Sequence, residues 1–183
     1  MPSLVVISGS PSRTSRTAPL AGHLAHRLSL RGFDVEHLDL RSLPPDALLE
    51  ADVRHPEVRR ALDSIAAAEG VVVATPVYKA SYTGLLKAFL DLLPQDGLAG
   101  KTVLPLATGG TIAHLLSIDY ALRPVLTALT ARHVVGGVFL LDRWIDALGR
   151  DTVDLTPEAE ERLLEAVDAF LGSLPSGPVL TAA

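Results

Sequence analysis

Ser8, Ser10, Ser12, Thr14, Ser15 and Thr17 bring six hydroxyls, and Arg13 and Arg16 two guanidinium groups, into the short segment SGSPSRTSRT. Side chains of these types around a glycine and a proline can make an anion site. Hydroxyls and loop amides donate, the arginines supply charge, and a following helix adds the positive end of its dipole. The pattern favours a phosphate monoester over a polyphosphate. It has neither the G-x-G-x-x-G spacing of dinucleotide loops nor the G-K-[ST] ending that sets a lysine on terminal phosphates. A loop that only caps its helix would use the same residues, so the reading depends on what else the chain brings to the same place.

Two further segments carry chemistry. In TPVYK, Pro76 removes a donor and fixes the path of the chain, Tyr78 and the nearby Tyr82 can border a flat ring, and Lys79 can meet a phosphate. Packing tyrosines and a solvated surface lysine would give the same letters. In TGGT, Gly109 and Gly110 after Thr108 let backbone amides approach a planar ligand, or simply turn the chain from strand to helix. His114 stands among Ile112, Ala113, Leu115 and Leu116 and reads as a packed or interface histidine rather than a proton donor. Tyr120 precedes Pro124 by four residues inside an expected helix. That proline lacks an N–H and would clash with the carbonyl of residue 120, so a π-type distortion is expected there, of a kind often found at functional sites.

The elements that must hold these segments alternate along the chain. LVVIS (Leu4 to Ser8) reads as a buried strand, and a helix from Ala18 carries Leu20, Leu24 and Leu28 on one face until Gly32 stops it. A strand from Phe33 to Leu40 follows, then a helix from near Pro56 with Val58, Leu62 and Ile65 inward and Gly70 at its end, then the strand VVVAT. The alternation continues with a helix from Gly84 to Leu93, the strand KTVLPLAT, a helix from Thr111 to about Thr130, and the strand HVVGGVFLL. A last helix has Thr156 as N-cap and Pro157 in its first turn, with Leu163, Leu164, Val167, Phe170 and Leu171 on one face. Such alternation predicts an α/β fold with a doubly wound, parallel, five-stranded sheet of order 2-1-3-4-5. Ligands of that architecture sit beyond the carboxyl ends of strands 1 and 3. Because strands 1, 3 and 4 are then neighbours, the three chemistry-bearing segments converge on one cleft.

Composition sets limits on what happens there. A chain of 183 residues with 48% hydrophobic content forms one domain, expected over 1–172, with a loose proline- and glycine-containing tail over 173–183. The net charge of -5 is mild and mixed, which argues against a nucleic-acid surface or a polybasic membrane patch. No cysteine is present, so disulfides, thiolate metal sites and cysteine nucleophiles are excluded, and redox chemistry must come from a cofactor. No apolar run approaches the roughly 20 residues needed to span a bilayer, and the expected location is the cytoplasm. LLKAFLDLLP carries apolar residues on two sides, which points to a homodimer or homotetramer.

GSPSRTSRT, ATPVYKASYTGLLKAFLDLLP and GKTVLPLATGGTIAHLLSIDYALRPVL together resemble the NADPH-dependent FMN reductases of bacterial two-component alkanesulfonate monooxygenase systems. The resemblance covers nearly the whole chain and is least specific beyond about Leu140. It implies a flavodoxin-like fold and hydride transfer from NADPH to FMN. Reduced FMN would then be released to an FMNH2-dependent monooxygenase of sulfur metabolism. Matching positions imply that Ser10, Arg13, Ser15 and Thr17 form the phosphate loop. Pro76, Val77, Tyr78 and Lys79 would form the ring-edge loop, and Thr108, Gly109 and Gly110 the third flavin loop. No acid, base or nucleophile is implied, since the flavin accepts the hydride and the protein aligns it. The same resemblance makes Tyr120 a π-helical tyrosine near a tetramer interface, linked to flavin release.

Three expectations stay open. The low aromatic content of 4%, with Trp144 outside the cleft loops, disfavours a tight sandwich around a permanent flavin. Even so, an NAD(P)H quinone or azo reductase with retained FMN, or a flavodoxin-type electron carrier, would share the fold. Preference for NADPH over NADH needs a cation at the 2′-phosphate, for which Arg13 and Arg16 are candidates. The cleft walls would come partly from the connections 41–55 and 141–155.

Overall fold

The computed structural model describes residues 3–149 and 151–175. Parallel strands β1 (Ser3–Ser8), β2 (Asp34–Asp39), β3 (Gly70–Pro76) and β4 (Thr102–Gly109) form a sheet in the order β2-β1-β3-β4, with β5 (His133–Val134) and β6 (Val138–Leu141) both beyond β4. The sheet therefore has the expected order 2-1-3-4-5, except that its fifth strand is in two pieces. β5 pairs with the start of β4 and β6 with its end.

Pro105, in the middle of β4, explains the interruption. Its carbonyl faces the break, 3.1 Å from where a Cβ on Gly137 would stand, and an N–H on that same edge is missing. The chain crosses this gap as Gly136–Gly137, and Gly137 has no room for a side chain because Ile118 lies against it. Central strands are apolar on both faces, as parallel strands covered by helices must be. Val5, Ile7, Val71, Val73 and Val103 join the layer under the short α2 (Pro45–Leu49), α3 (Pro56–Ala67) and α4 (Gly84–Leu90). Leu4, Val6, Val72, Leu104 and Leu106 join the layer under α1 (Thr17–Leu30) and α6 (Pro157–Gly172).

Helix ends follow the sequence closely in several places. Gly32 has φ +89° just after α1, Thr83 and Thr156 accept hydrogen bonds from Leu86 N and Ala159 N as N-caps, and Pro157 occupies the first turn of α6. At the other end of α3, Lys101 Nζ donates to the carbonyls of Ala66 and Ala68, satisfying groups the helix leaves open. Burial pushes the Lys101 ammonium below its ordinary range.

Several expectations are corrected. Gly70 does not end α3, which stops at Ala67. It opens β3, where a Cβ would strike Leu174, Phe170 and Leu4. Helix α4 ends at Leu90, and Leu92 and Leu93 are buried from the following turn. The segment LLKAFLDLLP is thus covered largely by its own chain, with Leu86, Phe89 and Leu90 in the core and Leu85 packed against it, so it presents no second apolar face. The single helix expected over 111–130 is three pieces: a 3₁₀ turn Ile112–His114, a π-helix Ile118–Leu122 and α5 (Arg123–Ala128). A hairpin of β7 (Ile145–Ala147) and β8 (Val153–Leu155) was not foreseen; its Ile145 and Val153 are buried beneath α1 and α6. The expected tail begins docked, with Leu174 buried and the Ser173 carbonyl accepting from Thr102 Oγ1 and Arg132 Nη1; residues 176–183 lie outside the described residues. Among the described residues no helix is long and apolar enough to cross a membrane.

Candidate functional site

Register places the carboxyl ends of β1, β3, β4 and β6 side by side, with Ser8 opposite Ala74, Pro76 opposite Thr108 and Gly109 opposite Leu141. The three segments singled out in the sequence leave from this one edge. Direct hydrogen bonds fasten them to one another. Thr17 Oγ1 and Thr108 Oγ1, both buried, share a bond of 2.7 Å between the first and third loops. Val77 N donates to the Thr108 carbonyl at 2.8 Å, joining the second and third. Thr83 Oγ1 donates to the Gly9 carbonyl while Thr83 N donates to Thr75 Oγ1, joining the first and second.

The first loop is shaped by its own hydroxyls. Ser12 N donates to Ser10 Oγ, Thr14 N to Ser12 Oγ, and Ala18 N to Ser15 Oγ at the entry to α1. Ser10 Oγ and Ser15 Oγ accept in these bonds, which leaves their protons for a ligand, while Ser12 Oγ also shares a bond of 3.1 Å with Thr14 Oγ1. Arg13 and Arg16 are both exposed, and Arg16 Nε donates to the Ile145 carbonyl at 3.2 Å, tying the loop to β7. Gly9 is needed for packing, since a Cβ there would stand 2.8 Å from that of Leu86.

In the second loop Tyr78 and Ser81 exchange backbone hydrogen bonds across a tight turn, with Lys79 and Ala80 between them at φ 51° and 63°. Two consecutive non-glycine residues in the left-handed region cost on the order of 1 kcal/mol each, and such strain concentrates at ligand-binding segments. The turn holds Tyr78 outward at 46% exposure, while Tyr82 packs half-buried against the core.

The two glycines of the third loop do different things. Gly109 is backed by Phe139, 3.0 Å from where its Cβ would be, so its small size serves packing. Gly110 is open: a Cβ would meet nothing nearer than Asp142 Oδ2 at 3.8 Å. Backbone at Gly110 is therefore accessible to a planar ligand. His114 is half-buried beside this loop, its enclosed Nδ1 3.8 Å from where a Cβ on Gly109 would stand.

Tyr120 stands in the π-helix at 78% exposure. Arg123 N donates to the Ile118 carbonyl five residues back, and the Arg123 side chain bonds Asp119 and the carbonyls of Val134 and Val135, beside the break in the fifth strand. Ile112, Leu115, Leu116 and Tyr120 are all exposed, an apolar surface of a kind that α4 does not present.

Two residues at the edge were missed by sequence reasoning. Thr83 was legible only as a possible cap before Gly84. Trp144 lies outside the three loops, as expected, but its packing was not foreseen: with Val77 it lies on the small cluster of Ala107, Ile118, Phe139 and Leu141, with Arg143 and Arg162 over its ring at 5.9 and 5.5 Å. A cavity of about 600 Å³ beside the start of β1 and β2 is at the opposite end; its Arg59 and Arg60 pair with Asp63 and Glu36.

The edge that carries these loops is where flavodoxin-like proteins bind their ligands, and comparison with known proteins identifies the chain's relatives. The family described as NADPH-dependent FMN reductase matches residues 2–146. The chain is 43% identical to the FMN reductase (NADPH) of Escherichia coli strain K12 over 93% of its length and 89% of that protein. It is 34% identical to the NADH-dependent FMN reductase SfnF of Pseudomonas putida, over 91% of each. Among solved structures, the apo form of the NADH:FMN oxidoreductase EmoB superposes with a TM-score of 0.87 at 47% identity, covering 97% of this chain and 92% of that one. With the sheet order, the convergent loops and these matches in agreement, the chain belongs to the NADPH-dependent FMN reductase family.

Proposed function

We propose that the protein binds FMN across the three joined loops, reduces it with a reduced nicotinamide nucleotide, and releases the reduced flavin to an FMNH2-dependent monooxygenase. The observation that carries this reading is the hydrogen-bonded union of the loops after β1, β3 and β4, through Thr17–Thr108, Val77–Thr108 and Thr83–Gly9. A ligand with a phosphate at one end and a flat ring at the other matches their contents.

The residues present fit FMN. Ser10, Ser15 and exposed Arg13, at the N-terminus of α1, would hold the phosphate, with Thr17 setting the loop's height above Thr108. Pro76, Val77, Tyr78 and Lys79 would border the ring, and open backbone at Gly110, positioned by Thr108 and Gly109, would meet its polar edge. FMN supplies the hydride-accepting chemistry. The protein would align nicotinamide and flavin so that two electrons and one proton transfer as hydride, and solvent, which the open ring loops admit, would supply the second proton. Lys79 and the loop amides stabilise negative charge developing on the ring, so no side chain needs to act as acid or base.

Release is favoured by the open ring loops and by the position of Tyr120 on an exposed, distorted segment. The exposed apolar residues Ile112, Leu115, Leu116 and Tyr120 support association of copies through this segment. Anaerobic NADPH oxidation by flavin-free protein, followed as FMN is titrated, tests the reading. Many turnovers with free reduced FMN are expected. One flavin that binds tightly, stays bound and cycles only when a quinone or protein acceptor is added would overturn it in favour of a flavoprotein reductase or carrier.

A further inference from the structure

A cavity of about 420 Å³ opens on the flank of the first loop, at the carboxyl end of β2. One wall is Ser12, Arg13 and Ser15; the other is His37, Arg41 and Ser42. β2 is the neighbour of β1 on the side away from β3, so this cavity lies beyond the phosphate loop as seen from the ring loops. A ligand with its ring over the loops after β3 and β4 and a phosphate on the loop after β1 reaches it only by continuing past that phosphate. FMN ends there. A dinucleotide does not.

Arg41 is prepared for an anion. Asp39, the last residue of β2, accepts from Arg41 N through Oδ1 and from Arg41 Nη2 through Oδ2, which holds the guanidinium at the cavity wall with further donors to spare. Arg16, the other arginine of the first loop besides Arg13, is committed to Ile145 and does not line the cavity. Asp151 closes the outer side, its Oδ1 3.9 Å from His37 Nδ1 and its carboxylate resting over Gly22, a helix position where any Cβ would collide with it. Among the described residues of the lining two arginines stand with two carboxylates, which suits one phosphate on a hydroxyl-rich sugar rather than a polyphosphate.

We propose that this cavity is an adenylate subsite, in which Arg41 binds a phosphate carried on adenosine ribose and Arg13 stands between that phosphate and the flavin phosphate. The proposal rests on the reading of the first loop as the flavin-phosphate site. Two substrates carry the group: FAD, whose adenylate half continues past the flavin phosphate, and NADPH, whose 2′-phosphate end would reach the cavity from a nicotinamide stacked on the bound flavin.

The test uses flavin-free protein and two probes, 2′,5′-ADP and 5′-AMP, titrated calorimetrically into the wild type and Arg41→Ala. The wild type binds at least one probe, and Arg41→Ala binds it about tenfold or more weakly, as expected for loss of a charge-assisted pair. Arg41→Lys, which keeps the charge and loses the fork, falls between them. In steady state, a KM for NADPH raised in Arg41→Ala with the KM for NADH unchanged places the 2′-phosphate here; a KM for FAD raised with that for FMN unchanged places the FAD adenylate. Absence of probe binding by the wild type, or equal binding by the variant, overturns the subsite. Probe binding that depends on Arg41 in a protein that reduces no flavin would instead overturn the reductase reading and leave the subsite standing.

Discussion

Thr17 and Thr108 are single hydroxyls separated by 91 positions in the chain, and their shared bond decides how the phosphate loop sits against the ring loop. Either one alone would be a buried polar group. Thr17→Val should therefore cost about 1–3 kcal/mol of stability, because the Thr108 hydroxyl is left enclosed without its partner. Thr17→Val combined with Thr108→Val should cost less than the two single changes added together. Urea unfolding of the four proteins measures the coupling, and strict additivity would show that the bond contributes nothing. Ser15, by contrast, keeps a proton free, so Ser15→Ala should weaken FMN binding by about 1 kcal/mol in a fluorescence titration.

The element that most repays comparison with its sequence is the stretch after β4. Pro124 forbids regular α-helical bonding at the Tyr120 carbonyl, and the chain responds with a π-helix over Ile118–Leu122 before regular turns resume at Arg123. The proposed role of Tyr120 in release predicts that Tyr120→Ala is purified yellow, with retained flavin and poor turnover of added FMN. A colourless variant of undiminished activity would remove that role. Pro105 acts in the same way on the sheet: one absent N–H splits the fifth strand, and the backbone carbonyls of Val134 and Val135 beside the break are taken by Arg123. The distorted helix and the interrupted strand are thus fastened to each other by one arginine.

At the scale of the molecule, α1 and α6 close one face of the sheet through Arg27–Glu160 at 2.6 Å and Arg31–Asp168 at 2.9 Å, both partly solvated and each worth little on its own. Between these helices burial, with help from nearby Arg27, pushes His23 below the ordinary histidine value of 6.5. The folded state then resists the proton that the unfolded chain accepts. His23 contributes no penalty above pH 6.5, and stability falls as pH drops from there through the lowered folded value. Urea midpoints measured from pH 7.5 down to 5 should therefore fall more steeply for the wild type than for His23→Gln. Parallel curves would place the pH dependence elsewhere.

The alternation of the main strands and helices, the sheet order, the ends marked by Gly32, Pro56 and Thr156 and the hydroxyl-rich make-up of the loop after β1 were legible in the sequence, because each follows from local patterns: apolar runs, 3.6-residue spacing, and hydroxyl, glycine or proline at chain reversals. The π-distortion was legible for the same reason, since Tyr120 and Pro124 are one turn apart. What tertiary structure decided is everything that depends on distant partners. The Thr17–Thr108 and Thr83–Gly9 bonds, the different duties of Gly109 and Gly110, and the collision that makes Gly70 a strand residue arise from contacts between segments far apart in the chain. The same holds for Trp144 beside Val77 and for the pairing of Arg13 with Arg41 across one cavity. A sequence specifies which residues can bond and how each segment is inclined to bend; only closure of the sheet sets the distances at which those bonds form.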